Sequence, residues 1–306
     1  MAVLGLGLAA LGRPGYMTLQ HREDFVSIDP ASMEAQAHAV LDAAWAGGLR
    51  HFDVARSYGR AEAFVHSWLE ARGHRQLVVS SKWGYRYTAN WQTNVAVHEV
   101  KEHSLAHLDS QWAESHALLG DALRIYQVHS ATLESGVLKD AAVINRLATL
   151  RDGGTAMGLS VTGSRQGEVI DAAISLERGG RRVFDWVQAT WNVLEPSAGP
   201  ALIRAKARGL HTIAKEGVAN GRLTARGQLA GWLALAQKVG TSPDALALAV
   251  ALQQPFLDVV LSGAATVEQL RSNLGARDVR PGKLDLGAFV IPPDEYWKQR
   301  ARLSWT

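Results

Sequence analysis

Short apolar runs alternate along the chain with longer stretches in which apolar residues recur every third or fourth position. The short runs read as strands and the longer ones as amphipathic helices. Strands are expected over 3–8 (VLGLGL), 49–54 (LRHFDV), 76–82 (QLVVSSK) and 122–129 (ALRIYQVH). Four more are expected over 156–161 (AMGLSV), 184–190 (FDWVQAT), 210–217 (LHTIAKEG) and 257–263 (LDVVLSG). Helices are expected over 32–48, 61–73, 110–120, 137–154, 167–180, 199–209, 225–240, 242–255 and 266–276, several of them stopped by glycine. The stretch from 83 to 95, rich in Trp, Tyr and Asn, reads as a long loop, and 294–306 as a helix.

Every strand is thus followed by a helix. That alternation predicts parallel strands joined by helical crossovers. Eight units over this length predict a closed (β/α)8 TIM barrel, an α/β fold in a single domain over 1–306, with 277–306 as a C-terminal tail over the barrel rim. A doubly wound dinucleotide fold is the rival, because GLGLAA (5–10) fits a glycine fingerprint. That fingerprint must open a helix, however, and here it runs into LGRPGY, where proline and glycine stop one.

Composition narrows the function. The chain has 306 residues, a formal charge of +3 and no cysteine. Disulfides, thiolate metal sites and a cysteine nucleophile are excluded. There is no dense Lys/Arg block, so no nucleic-acid partner is expected. The apolar N-terminus lacks a basic leader and is broken early by Gly12 and Pro14, so it is not read as a signal peptide. No run is long enough to span a membrane. The absence of cysteine fits a cytoplasmic location.

Chemistry gathers at strand ends, where barrels of this kind carry it. The second, third and fourth strands end at Asp53, Lys82 and His129, and Tyr58 follows the second strand in its loop. Neighbouring strands lie roughly 5 Å apart, so these groups can converge. Lys82 beside the Tyr58 phenol is expected to pull its pKa down, and Asp53 to keep Lys82 charged. His129 is placed to hydrogen-bond the reacting oxygen. Each residue alone reads more simply as structural, but three successive polar strand ends do not. Together they form a proton relay aimed at a carbonyl oxygen. His51 is expected to point away from this site. His98, His103 and His107 lack a metal-ligand arrangement, and no metal is expected.

FDVARSYG (52–59) resembles the aspartate–tyrosine motif of the aldo-keto reductases; VVSSKWG (78–84) and RIYQVHS (124–130) resemble that family's lysine and histidine strands. The resemblance extends from the first strand to about residue 276. It implies a (β/α)8 barrel, a nicotinamide cofactor bound extended, and the catalytic tetrad Asp53, Tyr58, Lys82 and His129, with Tyr58 as the general acid. Gly7, Leu8 and Ala9 match the first strand end, near the nicotinamide. Ser160 and Gln188 match carboxamide-binding positions, although Val161 stands where asparagine is usual. Lys215 replaces the ring that usually stacks on the nicotinamide, with Trp191 as a substitute wall, and Gly217 follows in the same loop. Ser262, Gly263, Gln269 and Asn273 match the adenosine-binding segment. The cofactor is NADP or NAD. The family favours NADP, whereas the missing cation at 263–265 favours NAD.

Trp83, Tyr85 and Trp91 are expected to wall a substrate pocket. The implied function is hydride transfer between a nicotinamide and a small-molecule carbonyl or alcohol. The alternatives are an NAD-dependent sugar or alcohol dehydrogenase of the same family, or a nucleotide-binding regulatory barrel with vestigial chemistry.

Overall fold

A computed structural model describes residues 2–306. Eight parallel strands close into a barrel: β1 (Val3–Gly7), β2 (His51–Asp53), β3 (Val78–Trp83), β4 (Leu123–Ala131), β5 (Ala156–Val161), β6 (Trp186–Thr190), β7 (His211–Lys215) and β8 (Val259–Ser262). Each strand pairs with its neighbours in sequence, and β1 closes the ring by pairing with both β2 and β8. The crossover helices form an outer layer. They begin where the sequence supplies caps. Asp29 Oδ1 accepts from the amides of Ala31 and Ser32 ahead of Pro30–Ala46, and Asp140 does the same for Ala141–Asp152. Ser242, followed by Pro243, caps Pro243–Leu252.

The main core lies between strands and helices, where Phe52, Trp68, Val79 and Tyr126 are fully buried. Inside the barrel, Ile213, Val259 and Leu261 pack with Trp186 as a separate plug below the strand ends. Gly158 belongs to this inner layer. A side chain there would press on Gln127 and Trp186, each 3.0 Å from the position a Cβ would take.

The helix expected over 225–240 begins only at Ala230, after a 3-10 turn at Ala225–Gly227, and that over 294–306 ends at Ala301; two further segments differ more. The stretch after β3 is not all loop: Tyr85–Tyr87 pairs antiparallel with Glu99–Lys101. The helix expected over 167–180 stops at Ile174. Glu177–Arg178 and Arg181–Arg182 then form a hairpin about Gly179 and Gly180, both at positive φ (57° and 73°). Such a turn needs two left-handed residues, which glycine supplies without strain. Past β8, a helix over Pro293–Ala301 returns to the C-terminal rim of the barrel. Among the described residues no helix is long and apolar enough to cross a membrane.

Candidate active site

Three side chains predicted at strand ends, with Tyr58 from the loop after β2, meet at the C-terminal mouth of the barrel. Lys82 Nζ donates to Asp53 Oδ2, to the Val54 carbonyl (2.9 Å) and to the Tyr58 hydroxyl (3.2 Å). The Tyr58 hydroxyl also lies 3.4 Å from His129 Nε2. Asp53 is held in turn, accepting at Oδ1 from Ser80 Oγ (2.7 Å) and Gln188 Nε2 (2.9 Å). The period of two along β2 explains one correction. His51 shares a face with Asp53 rather than pointing away, and it lies one layer deeper with its Nε2 3.1 Å from Ser80 Oγ.

Burial dominates the electrostatics. It pushes the Tyr58 phenol well above its ordinary value, with the Asp53 carboxylate adding to the rise. The expected lowering by Lys82 is therefore not what this environment gives. Burial also lowers the Lys82 ammonium, against the pull of Asp53. It drives the His129 imidazole well below its usual range, with Lys82 and Arg13 contributing, so His129 is neutral at pH 7.

The cavity above the tetrad holds charges that the sequence reading missed. Arg13, buried in the loop after β1, donates to Glu99 Oε2 (2.7 Å) and to the Ser57 carbonyl (3.0 Å). Its guanidinium lies 5.1 Å from the Tyr58 ring centroid and 4.7 Å from that of Trp305. Across the mouth, Glu216 takes a bidentate grip from Arg300, whose Nε donates at 2.9 and 3.0 Å, and it sits 3.7 Å from Lys215 Nζ. Glu216 has φ 58°, a left-handed conformation uncommon for a residue with a side chain. Lys215 Nζ donates to Thr190 Oγ1 (2.9 Å). Burial would raise the Glu216 carboxyl, but Arg300 and Lys215 outweigh it and hold it at about 2. Burial pulls Lys215 down to about 8 against the pull of Glu216.

Gly7, Ala9, Gln188, Lys215, Gly217, Ser262 and Gly263 line this cavity with Tyr58 and His129. A second cavity, lined by Gln269, Asn273 and Arg226, shares Ala10, Thr18, Val218 and Gly263 with the first. The two make one groove running from Tyr58 to Asn273. In it the Asn273 amide, oriented to satisfy its neighbours, donates to Asp244 Oδ2 (2.6 Å) and accepts from Ser262 Oγ (2.8 Å). Gln269 accepts from the Ala265 amide (2.8 Å) and donates to Asp24 Oδ1 (2.7 Å).

Several expected wall residues lie elsewhere. Trp83 is fully buried against His103, because it follows Lys82 on β3 and faces the opposite way. Trp91 packs edge-on against Phe64 and donates Nε1 to the Ile28 carbonyl (2.7 Å). Trp191 packs against Phe256 rather than into the groove. The Leu8 side chain is in the core, and its amide donates to the Asp53 carbonyl (2.9 Å). Ser160 stands behind the cavity wall, its Oγ accepting from the Ser130 amide (2.8 Å). Tyr85 is beside the site, edge-on to the His129 ring at 5.0 Å.

The aldo/keto reductase family model matches residues 4–283. No curated protein sequence matches the chain. Among solved structures, the holo form of an aldo-keto reductase from Bacillus halodurans is 18% identical, with TM-score 0.69 over 97% of this chain and 91% of that one. A putative aldo-keto reductase from Pseudomonas aeruginosa is 23% identical, with TM-score 0.64 over 90% of each chain. A glycerol dehydrogenase from Gluconobacter oxydans is 19% identical, with TM-score 0.68 over 98% of this chain and 90% of that one. At these identities the structural likeness concerns the fold. The family match covers nearly the whole length, and the chain belongs to the aldo/keto reductase family of NAD(P)-dependent oxidoreductases.

Proposed function

We propose that this enzyme reduces a small, polar aldehyde or ketone with NADH, and that Tyr58 delivers the proton. The observation that carries the reading is the Tyr58 hydroxyl held between Lys82 Nζ and His129 Nε2, facing a cavity continuous with a long groove. The groove suits an extended nucleotide. A Cβ at Gly7 would meet nothing nearer than 3.6 Å and one at Gly263 nothing within 4 Å, so the floor is open for a flat ring. The bound nicotinamide would supply the hydride and carry a positive ring once it has given it up.

The residues divide the remaining work. Tyr58 and neutral His129 orient the substrate by hydrogen bonds to its carbonyl oxygen. As that oxygen becomes an alkoxide, a stronger base than a phenolate, Tyr58 gives up its proton downhill even though burial raises its pKa. Lys82 stabilises the phenolate left behind. Asp53 keeps Lys82 charged, and Ser80 and Gln188 hold Asp53 in place. The charged lining of the cavity (Arg13, Glu99, Glu216, Arg300) favours a hydroxylated or otherwise polar substrate over a long apolar one. A soluble nicotinamide pool fits a cytoplasmic location.

NADH is favoured over NADPH by the charges around the far end of the groove. Among the described residues Arg226 is the cation lining it, and it is already paired with Asp24, while Asp244 and Glu268 stand nearby. Arg271 is exposed and lines neither cavity. A 2′-phosphate would meet acids without a free cation, whereas a ribose hydroxyl can donate to one. Titration by tryptophan fluorescence is expected to show NADH binding at least about tenfold tighter than NADPH. Equal or reversed affinities would overturn this part of the reading. Turnover is tested by the loss of nicotinamide absorbance with short hydroxyaldehydes and hydroxyketones. Nucleotide binding without turnover across such a panel would favour the regulatory alternative. Because His129 stays neutral well below its usual range, kcat/KM for reduction should not fall through histidine protonation between pH 7.5 and pH 6. A sigmoidal loss near the ordinary histidine value would contradict the assigned state.

A further inference from the structure

The ionic groups of the cavity do not balance. Lys82 is matched by Asp53, and Arg13 by Glu99. His129 is neutral. Glu216, however, faces two cations, Arg300 and Lys215. Arg300 holds it in the bidentate contact, so Lys215 has only a longer approach to it and a neutral partner in Thr190. Counting Lys82, which lies beneath the lining as the partner of Asp53, with the described residues that line the cavity, one positive charge is therefore left over, and it sits on Lys215 at the end of β7.

Its position matters because of where the chemistry must occur. A carbonyl that takes its proton from Tyr58 must take its hydride from a ring in the same cavity. Gly7 and Ser262 at the ends of β1 and β8, and Gln188 within β6, line that cavity together with Lys215. We propose that Lys215 biases the bound nicotinamide toward its reduced form, by setting the cavity's unmatched positive charge beside a ring that is neutral before hydride transfer and cationic after it. This rests on the reading of the groove as a nicotinamide site. The pyrophosphate and ribose are common to both redox forms and cancel from the comparison. The effect favours binding of the reduced form and release of the oxidised one, and makes hydride transfer on the enzyme correspondingly less favourable.

Lys215 is faced by Glu216 on its own loop, Arg300 and the Trp297 ring from the C-terminal helix, Asp53 and Lys82 from β2 and β3, the neutral His129 from β4, and Thr190 from β6. Of these groups Lys215 itself changes charge just above neutrality, at about 8. The bias should therefore be present near pH 7 and fade as pH rises through that value.

The test measures dissociation constants for NADH and NAD+ by tryptophan fluorescence, near pH 7 and at about pH 9.5, on wild type, Lys215→Met and Lys215→Arg. Two unit charges several ångströms apart in a buried site shift an equilibrium by about tenfold or more. The wild-type preference for NADH near pH 7 is expected to be of that size and to shrink at about pH 9.5. Lys215→Met should lose it at both pH values. Lys215→Arg should keep it at both, because the guanidinium does not deprotonate. A wild-type ratio that Lys215→Met leaves unchanged overturns the inference while leaving the cofactor reading intact. A pH dependence that persists in Lys215→Arg also overturns it, since another group would then carry the titration. If NADPH is the nucleotide that binds, the same ratio is read with NADPH and NADP+. If neither pair binds, the cofactor reading falls and this inference falls with it.

Discussion

A Tyr58→Phe variant is expected to lose turnover by about 10³-fold while binding nucleotide as the wild type does. The magnitude is that of a positioned general acid, which contributes about 10²- to 10⁴-fold. The separation of effects follows from the contacts. The phenol oxygen meets Lys82 Nζ at 3.2 Å and His129 Nε2 at 3.4 Å, and both neighbours have other partners. Lys82 keeps Asp53 and the Val54 carbonyl, and His129 Nδ1 keeps its approach to Ser57 Oγ at 3.4 Å. Removing one hydroxyl thus costs about 1 kcal/mol of stability. Steady-state rates and a fluorescence titration on the same preparation read the two effects separately. Wild-type kcat in this variant would remove Tyr58 from the role of proton donor.

Lys82→Met should be the most destabilising of the substitutions considered, by about 3–5 kcal/mol, and inactive as well. Both members of the Lys82–Asp53 pair are almost wholly buried, so removing the ammonium leaves a carboxylate out of water without its counterion. Ser80 and Gln188 still donate to Asp53, which limits the loss but supplies no charge. The double variant Lys82→Met with Asp53→Asn removes both charges and should recover most of the stability without recovering turnover. Urea unfolding of both single variants and of the pair gives the coupling directly. A Lys82→Met protein as stable as wild type would mean that water reaches the pair.

The barrel was legible because its signal repeats: eight apolar runs, each followed by a helical period, leave few other topologies. The tetrad was legible because three of its members stand at strand ends, where a polar residue interrupts an otherwise apolar run. What the sequence hid was of two kinds. Local turns were ambiguous. Gly179 and Gly180 fit a helix stop as well as the hairpin turn they form. The Trp-rich stretch after β3 gave no clear alternation, although Tyr85–Tyr87 does pair with Glu99–Lys101. The other kind was long-range. Arg13, Glu99, Glu216 and Arg300 each look like an ordinary charge in a loop or tail, and only the closed barrel brings them to one mouth. Trp83 is a case where a signal was present and misread. Once Lys82 is assigned to the mouth, the next strand residue must face the helices.

The contacts of Arg13 bear on how such a protein can change over generations. One buried guanidinium joins the loop after β1, the hairpin residue Glu99, the loop after β2 through the Ser57 carbonyl and the chain end through Trp305. Four stretches distant in sequence therefore share one partner, and their substitutions cannot be independent. A lineage under selection for a new substrate would accept a neutral residue at 99 only after, or together with, the loss of the cation at 13. Its mutational path at the mouth would be ordered, while exposed positions on the outer helices would drift freely.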